Sequence, residues 1–400
     1  MSKHVERTRT RFDTRFRTTL SGAVFGGILV LIAIGILFWN EGRARKRYLD
    51  LAEGEKIVVA IKADKVDPKN EGELVHLSAE TTTGAPLVDP EFGVRANGIR
   101  LTRTVEMYQW VETVEKETEN KTGGGTETTT TYTYSRKWLD ELIDSSEFHV
   151  PDGHRNPAGM PFRSLSVVAE EVSFGPFVLP SFLVARLGGG PVLEIDSLSG
   201  ASEKVRQDGR IVEGGVYFGT DPAEPEVGDL RVTFRVAPTG PVSVIAKQAG
   251  ETFETYPTRT GNTLDLIERG TKSAEEMFAS ARTSNKVMTW ALRILGFLML
   301  AGGIHLVLRP LTVLADVIPF IGNIVGAGTG LFSILLAIMV WTVTVGFAWL
   351  FYRPVVGILV LLATVATAWL ALRLLKKARD REDSASPTHP PSATEPPPLS

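Results

Sequence analysis

The chain has 400 residues, 43 Lys+Arg against 46 Asp+Glu, a net charge of −3 and 43% hydrophobic residues. It has no cysteine, which excludes disulfides, thiolate catalysis and Cys-based zinc or iron–sulfur sites. Residues 51–286 carry 37 acidic and 25 basic side chains, and the remainder 9 acidic and 18 basic. A middle that is acidic where it folds argues against nucleic acid as a partner.

In chain order, residues 1–19 form a basic N-terminus with Lys3, Arg7, Arg9, Arg11, Arg15 and Arg17. Leu20–Trp39 follows, 20 residues without a charge, long enough at about 1.5 Å per residue to span the hydrocarbon core. It ends in Trp39-Asn40-Glu41 and not in a small-x-small cleavage site, so it reads as an uncleaved transmembrane helix, with Trp39 at the interface. Gly22 and Gly26, and later Gly326 and Gly330, are spaced to let helix backbones approach closely.

Residues 40–287 then read as one α+β domain. Lys56–Lys62, Glu73–Leu77, Ile99–Val105, Leu230–Val236 and Val242–Ala246 alternate as half-buried strands. Trp138–Ser145 and Ser273–Ser284 read as helices, the second opening on a Ser273-x-x-Glu276 capping box. Glu112–Thr131, polar and rich in Thr and Gly, reads as a long exposed hairpin or loop. Asn70-Glu71-Gly72-Glu73-Leu74 resembles Glu226-Val227-Gly228-Asp229-Leu230. Each opens a strand, then a second strand, then a helical stretch (138–145 and 263–269), which suggests two related α+β units or a chance turn match.

Three further spans are expected at residues 288–308, 321–352 and 354–372. Between the first two, residues 309–320 hold Arg309, Asp316 and Pro319 and read as an interfacial or re-entrant piece. Residues 373–400 form a basic, Pro-rich tail. Four spans put both basic ends on one side, the cytoplasmic one, and the acidic middle on the other. Arg43, Arg45, Lys46 and Arg47 conflict with this, because they follow the first span on the translocated side. Among the ionisable residues near the membrane, Arg293, His305, Arg309, Asp316 and Arg353, most sit near span ends, where snorkelling explains them.

The search for chemistry is empty. The six His form no metal-ligand spacing, and there is no nucleophile elbow, phosphate loop or dinucleotide fingerprint. No cofactor and no catalytic residue is assigned. Asn120-Lys121-Thr122 is a glycosylation sequon.

Several segments resemble the transmembrane protein 43 family, also called LUMA: Asn40–Ala44, Asn70–His76, Val105–Thr113, Glu226–Val232, Ser273–Phe278 and Trp349–Pro354. They fall in family order and cover the chain except for its basic N-terminus and its tail. The resemblance implies four spans with one large loop outside the cytosol, self-association and the organising of membrane protein complexes, with no enzymatic activity. In animals the family resides in the endoplasmic reticulum and inner nuclear membrane. The arginine-rich N-terminus and the tail differ from the animal pattern. This chain therefore reads as a prokaryotic member, in an inner membrane with a periplasmic domain.

The expected protein is thus a non-enzymatic membrane scaffold. Its partners would be membrane lipids, further copies of itself and other membrane proteins. The alternative is a lipid- or small-ligand-binding or transport protein using the C-terminal helices around Arg309 and Asp316. Met107, Tyr108 and Trp110 are candidates for an aromatic interaction surface, against the plainer reading of a buried strand. Arg353 and Pro354 are read as an anchor at the start of the last span.

Overall fold

The computed structural model describes residues 2–121, 124–316 and 319–359, and isolated positions 362, 369 and 373. Its principal elements are strand β1 (Ser2–Thr10), helix α1 (Phe12–Ile57), strands β2 (Leu74–Thr83), β3 (Arg100–Asn120), β4 (Thr126–Leu139), β5 (Leu230–Ala237), β6 (Gly240–Ala249) and β7 (Leu266–Arg269), then helices α2 (Ala274–Ala315) and α3 (Pro319–Tyr352). All three helices are long and apolar enough to cross a membrane, and a large α+β region lies between the first and second. The expected fourth span, 354–372, lies mostly outside the described residues, of which 354–359 continue as helix.

Two seven-stranded sheets form the α+β region, the first of them including β1. One runs β1, β4, β3, β5, Gly215–Phe218 and Arg210–Val212, with Leu165–Val168 also on β3. The other runs Phe177–Val178, Val172–Phe174, β2, β6 and Thr252–Glu254, with β7 on β6 and Val59–Ala60 on β2. Chain order alternates between the sheets, β2 and β6 in one against β3, β4 and β5 in the other, so two consecutive α+β units are not present. The two echoed turns share only a local device: Gly72 and Gly228 both take positive φ (81° and 104°) ahead of a strand.

β6 is buried on both faces. Val242, Val244 and Ala246 join Phe174, Phe177 and Phe253, while Ile245 joins Leu51, Leu74, Leu264, Met277 and Phe278. That second cluster draws one side chain or more from α1, β2, β6 and α2, and so seats the helices on the sheet. Burying Leu51 or Phe278 contributes about 1.5–3 kcal/mol each.

Several expected elements differ. Lys56–Lys62 is not a strand: α1 continues through good helix formers to Ile57, and only Val59–Ala60 pairs, parallel to β2. Trp138–Ser145 is not a helix. Trp138 and Leu139 end β4, and the buried Gln109 amide then donates to Glu141 O and accepts from Ile143 N, holding the chain open. Residues 263–269 are not helix: Thr263–Leu264 pairs with Tyr256–Pro257, and β7 (Leu266–Arg269) pairs with β6. The capping box at Ser273–Glu276 is present, and α2 runs from it without a break through Pro310 to Ala315. The separate interfacial piece at 309–320 is therefore the end of α2 and the start of α3, with only 317 and 318 outside the described residues.

Glu112–Thr131 is a hairpin of β3 and β4, paired from Met107↔Leu139 to Asn120↔Thr126. Its Thr-rich sequence lacks aliphatics, but β-branching alone favours the extended form. β1 adds to its edge, from Ser2↔Tyr134 to Thr10↔Thr126. This pairing is at odds with the expected placement of residues 1–19 and 40–287 on opposite sides of a membrane. The hairpin tip also reaches α1, where Arg15 donates to Gly124 O at 3.2 Å.

Candidate functional site at the membrane junction

The polar residues Asn40 to Arg43 follow directly on the apolar run of α1, so they sit where the bilayer ends. Glu41 is 1% exposed. Its Oε1 accepts from Arg293 Nε of α2 at 2.7 Å, and its Oε2 accepts from Trp349 Nε1 of α3 at 2.8 Å. The Arg293 guanidinium lies 4.9 Å from the Trp290 ring centre and 5.8 Å from that of Trp349. One carboxylate thus holds all three helices together. Arg293 does not snorkel as expected, because a buried counter-charge is closer than water.

Around this pair the contacts are neutral. Arg43 donates to Asn285 Oδ1, Asn40 Oδ1 and Thr289 Oγ1 at 3.1–3.2 Å. Asn40 Nδ2 donates to Thr289 O, and Asn285 Nδ2 to Ala44 O. Gly42 lies against the Tyr352 ring, where a Cβ would come within 2.6 Å of Cζ.

Two turns further on, fully buried Asp50 accepts from Thr258 Oγ1 (2.7 Å), Thr260 Oγ1 (2.5 Å) and Asn262 Nδ2 (2.9 Å). Next to it, Gly54 lets Leu264 approach: a Cβ there would sit 2.2 Å from Leu264 Cδ2. Arg282 closes the outside with a bidentate pair to Glu55 at 2.6 and 2.9 Å. The α+β region is therefore fixed to the helices by packing and by hydrogen-bonded polar groups.

The residues predicted from sequence fall in different places. Gly26 meets α2: its Cβ would be 2.6 Å from Gly303 O. Gly22 and Gly330 have nothing within 4 Å, and Gly326 falls in 319–327, where packing lies outside the described residues. Gly26→Val is therefore expected to push α1 from α2 and cost about 1–3 kcal/mol of stability. Gly22→Val should leave the monomer unchanged, and thermal melts in detergent compare the two.

Arg309 is exposed. Asp316 is fully buried and forms an ion pair with Arg15, so these two do not converge on a pocket. Arg353 is half-buried and lines a cavity of about 510 Å³ with Arg45 and Tyr48. Met107 is core, packed with Leu230 and Val105. Tyr108 and Trp110 point to the other face, where they form a ladder. Trp138 packs on Tyr108 with its ring tilted, 5.2 Å between centres, Arg136 lies over Tyr108 and Trp110, and Trp110 meets His154 edge-on at 4.8 Å.

Sequence reasoning passed over Glu41, Asp50, Thr289 and Trp349. The available signal was a charge set directly against an apolar run, at Glu41 and at Arg293.

The six segments that carry the resemblance meet in pairs. Asn40–Ala44 packs on Trp349–Pro354 through Glu41 with Trp349, and Gly42 with Tyr352. Asn70–His76 meets the start of α2: Leu74 packs with Phe278, and His76 Nε2 lies 2.9 Å from Lys272 O. Val105–Thr113 pairs with Glu226–Val232, with Tyr108 N donating to Asp229 O and Gly228 N to Tyr108 O. In that turn Tyr217 donates to Asp229 Oδ2 at 2.5 Å, and burial together with this carboxylate pushes its hydroxyl well above the usual range.

The family model for transmembrane protein 43 matches residues 107–354. The chain is 36% identical to human transmembrane protein 43 over 373 residues, covering 90% of each. This chain belongs to the transmembrane protein 43 family. It is also 36% identical to the mouse protein (84% of this chain, 85% of the relative) and 31% identical to the Drosophila homologue (85% and 91%). No solved structure matches.

As a family member with three helices of spanning length, the chain is an integral membrane protein. These relatives, from human, mouse and fly, lend no support to the expected prokaryotic origin, nor to the inner membrane and periplasm inferred from it. They are named as transmembrane proteins, not as enzymes. Among the described residues no group of three or more His, Asp or Glu could hold a metal.

Proposed function

We propose that this chain is a non-enzymatic membrane scaffold that assembles with itself and with other membrane proteins. The observation that carries the reading is the junction. Glu41, Arg293 and Trp349 bind the three helices to one another, and Asp50 and Leu51 bind them to the outer domain, so that a partner held by one part is positioned by the other. The helices are also little used among the described residues. Only 17% of the most apolar stretch of α1 and 22% of those of α2 and α3 are buried. The remainder, including the open faces of Gly22 and Gly330, is left for lipid or for other helices. Crosslinking and native electrophoresis in mild detergent test this. A mass above the 43.6 kDa monomer is expected, and a strictly monomeric chain with no co-purifying membrane protein overturns it.

The orientation belongs to the same proposal. α1 packs on the outer domain at Gly54, while the hairpin tip meets Phe12, roughly 60 Å further along the helix. The span Leu20–Trp39 lies between them. An open-edged strand pair rich in Thr, Glu and Lys has no place in hydrocarbon. In a bilayer, β1 therefore releases the hairpin, the basic N-terminus stays cytoplasmic, and residues 40–287 stand on the other side. In microsomes or sealed vesicles, a glycan on Asn120 and protease protection of residues 51–286 are expected, with an N-terminal tag cleaved from outside. Tag and hairpin protected together would instead support the β1 pairing.

A further inference from the structure

A cavity of about 710 Å³ opens at the junction, between α1, the start of α2 and the loop before β7. Three arginines line it: Arg43, Arg47 and Arg186. Two carboxylates line it as well, but each is already engaged. Asp50 is saturated by Thr258, Thr260 and Asn262, and Glu268 is paired with Lys272. Arg186 has its own partner in Asp265. Arg47 has no hydrogen-bond or ion-pair partner among the described residues, and Arg43 is held only by neutral groups, with its Nε buried and unpartnered. Asp50 and Asp265 attract Arg47 without pairing with it, and with three arginines against two carboxylates in the lining the cavity keeps one positive charge in excess.

Its depth identifies what would neutralise it. Trp39 ends the apolar run, and Arg43 and Arg47 lie four and eight residues later, about 6 and 12 Å along the helix. The headgroup layer adds about 5–7 Å to each side of the hydrocarbon core. Arg43 is thus at headgroup level, and Arg47 can reach back to it. Ser280, Ser284 and Asn285 add polar side chains to the α2 wall, and Met288 marks its apolar floor.

We propose that this cavity binds the phosphate of an anionic membrane lipid, with Arg47 as the principal ligand and Arg43 and Arg186 beside it. Guanidinium groups bind phosphate oxygens by paired, charge-assisted hydrogen bonds. This also gives a role to two of the four basic residues after the first span, Arg43 and Arg47, which oppose the charge rule for orientation. They serve a lipid on the domain side and do not set the topology.

The test is native mass spectrometry of the full chain in nanodiscs of phosphatidylcholine with a minor share of phosphatidic acid. The wild type is expected to retain phosphatidic acid selectively. Arg47→Gln breaks no internal bond, so it should melt as the wild type does while losing retention about tenfold, the worth of one such hydrogen bond. Arg47→Lys should keep part of it. Lys46→Gln, exposed on the same helix and outside the cavity, should retain the lipid fully. Equal retention by wild type and Arg47→Gln overturns the proposal. Arg47-dependent binding of inorganic phosphate in neutral discs, without selectivity for phosphatidic acid, overturns the lipid as the source.

Discussion

Arg293→Leu is expected to lower the stability of the full chain in mild detergent by about 3–5 kcal/mol, the cost of stranding a buried carboxylate. Glu41 is 1% exposed and the Arg293 side chain 12%, so water cannot take over the lost contact. Thermal melts followed by the fluorescence of Trp290 and Trp349, which flank the guanidinium, read the loss. The double variant Glu41→Leu with Arg293→Leu should recover much of it, because the isolated charge is then gone. Trp349→Phe removes one hydrogen bond to the carboxylate and should cost less, about 1.5–3 kcal/mol. Arg293→Lys keeps the charge but not the planar stacking on the two rings, so it should fall between the extremes. A loss below about 1 kcal/mol for Arg293→Leu would place Arg293 among surface ion pairs and restore its reading as a snorkelling side chain.

The membrane helices were legible because their signal is local. Leu20–Trp39 needs only length and the absence of charge, and the Ser273 capping box only two residues at fixed spacing. Strands with strict alternation, such as Leu230–Val236, were legible for the same reason. What failed was decided across the fold. Trp138–Ser145 has a helical pattern, yet Trp138 packs against Tyr108 and Gln109 captures the backbone that follows. Leu266–Arg269 became strand because β6 offered an edge to pair with. The Glu41–Arg293 pair spans 252 positions, and no spacing in the sequence relates its two members. Tyr108 and Trp110 were seen as an aromatic group, but not which face they took. That was fixed by Met107, which points into the core and so turns its neighbours away from it.

Asp50→Ala is expected to detach residues 258–262 from α1 while leaving both sheets intact. Three side chains lose their acceptor at once, and two of them donate to the same oxygen, so the loss falls short of three independent bonds. About 3–5 kcal/mol is expected. The loop carries a reporter: the Arg259 side chain is 92% exposed, although its backbone N–H is held by Glu53 at 3.1 Å. Tryptic cleavage after Arg259 requires this segment to open, so its rate tracks the opening equilibrium. A loss of about 3 kcal/mol should raise it roughly a hundredfold. Arg155 provides the comparison within the same chain. It is exposed on a distant loop, and cleavage there should not change. Asp50→Asn keeps one acceptor oxygen for Thr258 and Thr260 but faces the Asn262 amide with its own, so it should fall between wild type and Asp50→Ala. An unchanged rate at Arg259 in a chain that still melts normally would mean that Leu264 in the notch of Gly54, not the carboxylate, holds the domain to the helix. In that case Gly54→Ala becomes the substitution that frees it.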